Sequence, residues 1–178
     1  MYEIKGSKVS IFIIFILFVL LVSCSRTVTN KQSLNVAIED IENSVYVLPL
    51  ENHTETPLAG RRVASILEGV LRSRGFKVEN GIVGLESRDY NAKEISELMK
   101  KIKKNGIKYA FSGSVNEYRY KTGIDGEPAV SITINLYKLD KGRIIWSSTG
   151  AKTGWSYESL GTITQKLLKN LIIAKKAK

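Results

Sequence analysis

Few side chains here can do chemistry by type and spacing, and they do not converge. His53 is the only histidine and Cys24 the only cysteine among 178 residues. Metal sites built on several imidazoles are therefore out of reach, and a nucleophilic triad has one candidate base, in the polar stretch Glu51–Thr56. Gly81-Ile82-Val83-Gly84 lacks the spacing and the following helix of a phosphate-cradling loop. Asp125 and Glu127 share one short loop, and paired carboxylates can divide acid and base roles in glycoside hydrolysis. The same pair at a hairpin tip also serves as turn former and solvated charge. No catalytic residue, metal ligand set or cofactor is assigned, and the chain is not expected to be an enzyme.

Cys24 has a different use. Lys5 and Lys8 precede an apolar run of 14 residues, Val9–Val22, which leads into Leu21-Val22-Ser23-Cys24. A bilayer-spanning helix needs about 20 apolar residues, so the run has the size of a signal-peptide core. Leu-Val-Ser-Cys resembles the bacterial lipobox, in which the Cys thiol takes a diacylglycerol thioether and becomes the acylated first residue. An ordinary signal peptide with an incidental Cys, or an uncleaved anchor, is the bland alternative. Each buried methylene contributes about 0.8 kcal/mol, so several acyl chains on Cys24 would hold the domain on a membrane without spanning it. Ser25 and Arg26 follow the Cys with no Asp beside it, which favours the periplasmic face of the outer membrane.

These marks divide the chain. Residues 1–23 read as a lipoprotein signal peptide, 24–43 as an acylated N-terminus and tether, 44–174 as one periplasmic α+β domain, and 175–178 as a basic tail. The chain carries 27 Lys and Arg against 17 Asp and Glu, a formal charge of +10. Lys5, Lys8 and Glu3 leave with the signal, so the mature chain stands at +9. Such a balance suits anionic headgroups or lipopolysaccharide. It would also suit nucleic acid, but the export signal argues against that. With its one Cys acylated the chain makes no disulfide, and stability rests on packing and oligomerisation.

Within the domain, Val45–Leu50 reads as a short strand closed by Pro49. Thr56-Pro57 predicts a helix start, with Thr56 as hydroxyl cap and the helix running to about Arg74 before Gly75. Phe76-Lys77-Val78 reads as a second strand. Asn91 with Glu94 predicts a capping box opening a second helix, whose Lys100, Lys101, Lys103 and Lys104 complement its dipole or touch an anion. Ile107–Tyr120, Ala129–Asp140 and Arg143 to about Ala151 read as a meander. Strict alternation from Ala129 puts Val130, Ile132, Ile134 and Leu136 on one face. Ser156 is expected to cap a last helix. The order is β-α-β-α-β-β-β-α, an α+β fold with helices packed against a mainly antiparallel sheet. Trp146 reads as core. Trp155, between Gly154 and Ser156, suits a membrane interface, a subunit or sugar contact, or a plug at the end of the core.

Several blocks then carry a resemblance. Tyr109-Ala110-Phe111-Ser112-Gly113-Ser114-Val115, Tyr118-Arg119-Tyr120-Lys121, Gly123-Ile124-Asp125-Gly126-Glu127-Pro128-Ala129-Val130, Ile145-Trp146-Ser147 and Gly154-Trp155-Ser156 resemble the PelC family, outer-membrane lipoproteins of Pel exopolysaccharide export. Val47-Leu48-Pro49-Leu50-Glu51-Asn52 and Thr56-Pro57-Leu58-Ala59-Gly60 are shared with the wider group of CsgG-like and penicillin-binding-protein-activator lipoproteins. The resemblance implies a non-enzymatic, dodecameric ring beneath a PelB-like β-barrel, with an acidic funnel guiding a cationic polysaccharide. Carried over by position, Asp125 would face the pore, and Trp155 would meet lipid beside acylated Cys24. Glu127 joins Asp125 as a polymer-guiding candidate from its place in the same loop. A charge of +9 is the departure, because a negative funnel then requires segregated acids. The alternative function is a periplasmic activator of a peptidoglycan synthase.

Overall fold

A computed structural model describes residues 28–31, 44–79, 81, 83–123 and 126–172. Among these lie seven strands and three helices. The strands are β1 (Val28–Lys31), β2 (Val45–Val47), β3 (Glu51–Asn52), β4 (Val78–Glu79), β5 (Tyr109–Tyr120), β6 (Pro128–Lys138) and β7 (Arg143–Thr153). The helices are α1 (Ala59–Ser73), α2 (Ala92–Lys104) and α3 (Leu160–Leu171). From β2 to α3 the expected order holds, with the two-residue β3 as an extra step. β1 lies in the stretch expected to be a tether, where it adds to the open edge of β7.

One sheet results, in the order β1-β7-β6-β5-β2-β4, with β3 also on β5. The long ladders β5–β6 and β6–β7 and the short β1–β7 ladder are antiparallel. The pairs β2–β4, β2–β5 and β3–β5 are parallel, so the sheet is mixed. The parallel part follows from the chain passing through a helix between strands, since a crossover returns the next strand in the same direction. β2 to β4 steps one way along the sheet, and β4 to β5 steps back past β2. Right-handed crossovers in opposite directions place their helices on opposite faces.

Two cores reflect that division. On one face α1 and α3 lay Val63, Leu67, Leu71, Ile163, Leu167 and Leu171 over Val47, Phe111 and the alternating set Val130, Ile132, Ile134 and Leu136. Trp146 is buried there, edge-on to Phe111 with ring centroids 6.3 Å apart, as its strand position implied. On the other face α2 packs Ile95 and Ile102 with Leu48, Tyr90, Ala110 and Leu139.

Helix starts are where local expectation and structure differ. The capping box of Asn91 and Glu94 is formed, each side chain accepting from the other's amide at 3.0 Å. Thr56 does not cap α1: its hydroxyl donates to the carbonyl of Tyr118 on β5. Leu58, at φ 61°, takes the cap position, and Asp89 accepts its amide at 3.1 Å from a distant loop. A carboxylate there also complements the positive end of the helix. Ser156 does not cap α3 either, because the turn continues three residues further and Ser159 accepts from the amide of Thr162 at 3.1 Å.

Gly60 sits where α1 meets the end of the first strand segment. A Cβ on it would lie 1.9 Å from the carbonyl oxygen of Leu50, whereas one on Gly69, on the exposed side of the same helix, meets nothing within 4 Å. Gly60→Ala should therefore cost about 1–3 kcal/mol through overpacking. Gly69→Ala should gain about 0.5–1 kcal/mol through helix propensity. Denaturant unfolding of the two variants checks the opposite signs.

Candidate functional site

The β5–β6 hairpin and the β7–α3 turn converge at one end of the sheet. β5 and β6 stay paired up to the loop between them, Tyr120 opposite Pro128. The Lys121 amide donates to the Glu127 carbonyl at 2.8 Å and closes the loop. Pro128 then accepts the amide of Gly154 at 2.9 Å. Two blocks that stand apart in the sequence, Gly126–Val130 and Gly154–Ser156, thereby meet at a backbone clasp. Gly154 fits it for lack of a side chain, since a Cβ would come within 2.5 Å of Ile163 Cγ2 and 3.1 Å of Pro128 Cγ.

Glu127 is half-exposed and lies 3.7 Å from Lys121 Nζ. A solvent-exposed pair of this kind contributes about 0–1 kcal/mol and leaves the carboxylate able to change partners. Asp125 and Cys24 lie outside the described residues, as does the expected tail 175–178.

Trp155 projects from the turn after the clasp, 49 % exposed, so it does not plug the core. Tyr157 beside it is 83 % exposed. Glu158 holds this turn. One of its oxygens accepts the Trp155 amide at 2.9 Å, the other pairs with Lys166 on α3, and its own amide donates back to the Trp155 carbonyl at 2.9 Å. Sequence reasoning passed over both Tyr157 and Glu158. The exposed Tyr had a signal in the run Gly-Trp-Ser-Tyr. Glu158 had only a weak one, its distance of eight residues from Lys166.

β1 brings the N-terminal side to the same place. It runs antiparallel to β7 with Val28 opposite Ala151. Cys24 precedes Val28 by four residues, and Trp155 follows Ala151 by four. The chain therefore enters β1 from the Trp155 end of the sheet.

Other candidates fall away from this end. His53 Nε2 lies 3.4 Å from Glu51 Oε2 in an exposed loop. Among the described residues no group of three or more His, Cys, Asp or Glu could hold a metal ion. No helix among them is long and apolar enough to cross a membrane.

Comparison with solved structures places this arrangement. A PelC dodecamer from Paraburkholderia phytofirmans that carries a single Leu-to-Met substitution matches with 29 % identity and a TM-score of 0.64, over 83 % of this chain and 95 % of that one. A second PelC dodecamer from the same organism matches at 28 % and 0.63 over the same shares. The chain is similar to PelC. Lipoprotein GNA1162 from Neisseria meningitidis shares the fold at 20 % identity and a TM-score of 0.52, over 71 % of this chain and 96 % of that one. No protein-family profile and no curated protein matches the sequence.

In this PelC-like chain the lysine cluster of α2 and the hairpin loop lie at opposite ends of the strands. Lys138 pairs with Arg143 at one end of the β6–β7 ladder, and Ala129 with Thr153 at the other, about 30 Å away. Lys103 Nζ donates to the Asp140 carbonyl, so the lysine-rich end of α2 lies with Lys138 and Arg143, remote from the hairpin loop.

The Glu158 carboxyl is held below its ordinary value of 4.5, first by the Lys166 ammonium and then by the Trp155 amide. A depressed carboxyl contributes stability that is complete above its unfolded value and is lost as pH falls through the folded one. The turn should therefore stay closed at neutral pH and loosen below about pH 4.5. In a Trp146→Phe background, Trp155 emission should shift over that acidic range, and Glu158→Gln should abolish the shift.

Proposed function

We propose that this chain is a non-enzymatic outer-membrane lipoprotein that assembles into a periplasmic ring and guides a cationic, Pel-like exopolysaccharide toward a PelB-like β-barrel. The observation that carries the reading is its similarity to PelC dodecamers across 83 % of the chain. A site without convergent catalytic groups fits such a task. Guiding a polymer needs weak, repeated attraction, and a ring supplies it by presenting one carboxylate many times.

The geometry supports a division of labour at the clasp end. Acylated Cys24 would anchor the domain in the outer membrane from its periplasmic face, and Trp155, with Tyr157, would lie at the lipid interface. An aromatic ring with an N–H suits that boundary, where one part is apolar and the other wet. Asp125 and Glu127, across the clasp, would face the polymer. Lipid and carboxylates would then share one end of the domain, with the basic end of α2 turned into the periplasm.

Two variants test this. Asp125→Ala should reduce secreted polysaccharide severalfold at normal protein level and unchanged fold, measured by lectin or sugar analysis of the medium; unchanged secretion would end the guiding role. Cys24→Ser should leave the protein in the soluble periplasmic fraction and lower export, and full export from unanchored protein would reduce the lipid to an address.

A further inference from the structure

α2 is covered unequally on its two flanks. Toward β2 it is covered by the chain's own loop, with Leu85 and Tyr90 packed beside Leu48 and Ile95. Toward β6 it leaves an open groove of about 450 Å³. The groove floor is apolar, formed by Ile95, Met99, Tyr137 and Leu139, and Lys100 and Lys103 stand on its helix side. Its remaining wall is the polar outer face of the sheet. Those lysines are exposed.

The complementary feature lies at the opposite flank. After the edge strand β4, the chain presents Val83, 76 % exposed, and Glu86, whose carboxylate side chain is 79 % exposed. Glu86 carries a solvent-exposed pair with Arg88 at 2.9 Å, a guanidinium that Glu94 also holds at 2.8 Å and that leaves Glu86 able to change partners. The Arg61 guanidinium donates to the carbonyls of Leu85 and Glu86 and holds the base of this loop on α1. An apolar tip followed by an acid matches an apolar floor edged by two cations, the groove's own acid, Glu51, being held at the start of α2 by the Ala92 amide. The loop and the groove sit on opposite sides of α2, so the loop of one molecule cannot reach its own groove. Contacts between two different patches of identical subunits are heterologous, and repeated contacts of that kind close into a ring when the rotation allows.

We propose that neighbouring copies of this chain pack head to tail, with the Val83–Arg88 loop of one copy seated in the groove between α2 and β6 of the next. The inference rests on the ring reading given above and names the surfaces that build the ring. Burial of Val83 against Ile95, Met99 and Leu139 supplies the apolar part. Glu86 facing Lys100 and Lys103 fixes which loop enters which groove, since complementary charge sets partner choice and register.

Cysteine cross-linking of the full-length lipoprotein in its membrane tests the surfaces directly. Val83→Cys and Ser96→Cys together, on the loop tip and the groove edge, should give a ladder of oxidised multimers on a non-reducing gel. Each single variant should give none. Lys100→Glu should lower the ladder's yield about tenfold, and Glu86→Lys in the same chain should restore most of it. A large native assembly without a ladder would overturn these surfaces while leaving the ring intact. Dimers from Val83→Cys alone would overturn them in favour of a two-fold contact. A protein that stays monomeric at all concentrations would remove the ring and this interface together.

Discussion

The register of β6 is the constraint on which the remaining structure depends. It is paired along its whole length on both sides, to β5 and to β7. Every second residue from Val130 to Leu136 is fully buried under α1 and α3, while the residues between them face the other side. A slip of one residue would turn all four into solvent and bring Ser131, Thr133 and Asn135 into the core. The same register sets Pro128 level with the end of β7, which makes the clasp with Gly154 possible. The position of the hairpin loop relative to the Trp155 turn is thus decided in the hydrophobic core, well away from either.

Much of this was readable because the signals were local and periodic. The alternation in β6, the helical stripes of α1 and α2, the Asn91–Glu94 box and the burial of Trp146 all follow from neighbours close in sequence. The capping of α1 was not readable in the same way. Thr56 has the chemistry of a cap, yet a β5 carbonyl takes its hydroxyl and Asp89, 31 residues beyond Leu58, supplies the acceptor. Such partners are chosen by tertiary proximity. The opposite placement of α2 was equally hidden, since it depends on strand order and crossover hand rather than on any residue in the helix.

The site divides along the same line. Trp155 was recognisable by its flanking small residues, but what makes it project is Glu158, which binds the turn from both sides. The link between the Asp125–Glu127 loop and the Trp155 turn was visible only as two blocks of one resemblance. Its physical content is one backbone hydrogen bond and a glycine with no room for a Cβ. That the chain enters the sheet beside the end of β7 came from a strand, Val28–Lys31, whose composition gave no periodic signal.

The lysine cluster at the end of α2 and the hairpin loop are electrostatically independent because distance separates them. The lysines at the end of α2 lie about 30 Å from the hairpin loop, several Debye lengths at physiological ionic strength. The potential at the loop is therefore set by the local balance. There Arg119 pairs with Glu117, Lys121 with Glu127 and Lys166 with Glu158, which leaves those six groups close to neutral. Lys152 also acts on Glu158, so with it these groups are four cations against three acids, a balance that the carboxylate of Asp125 in the loop sequence levels. In the ring proposed above the loop would recur once per copy, and the weak attraction of each copy would let a cationic polymer pass from one to the next.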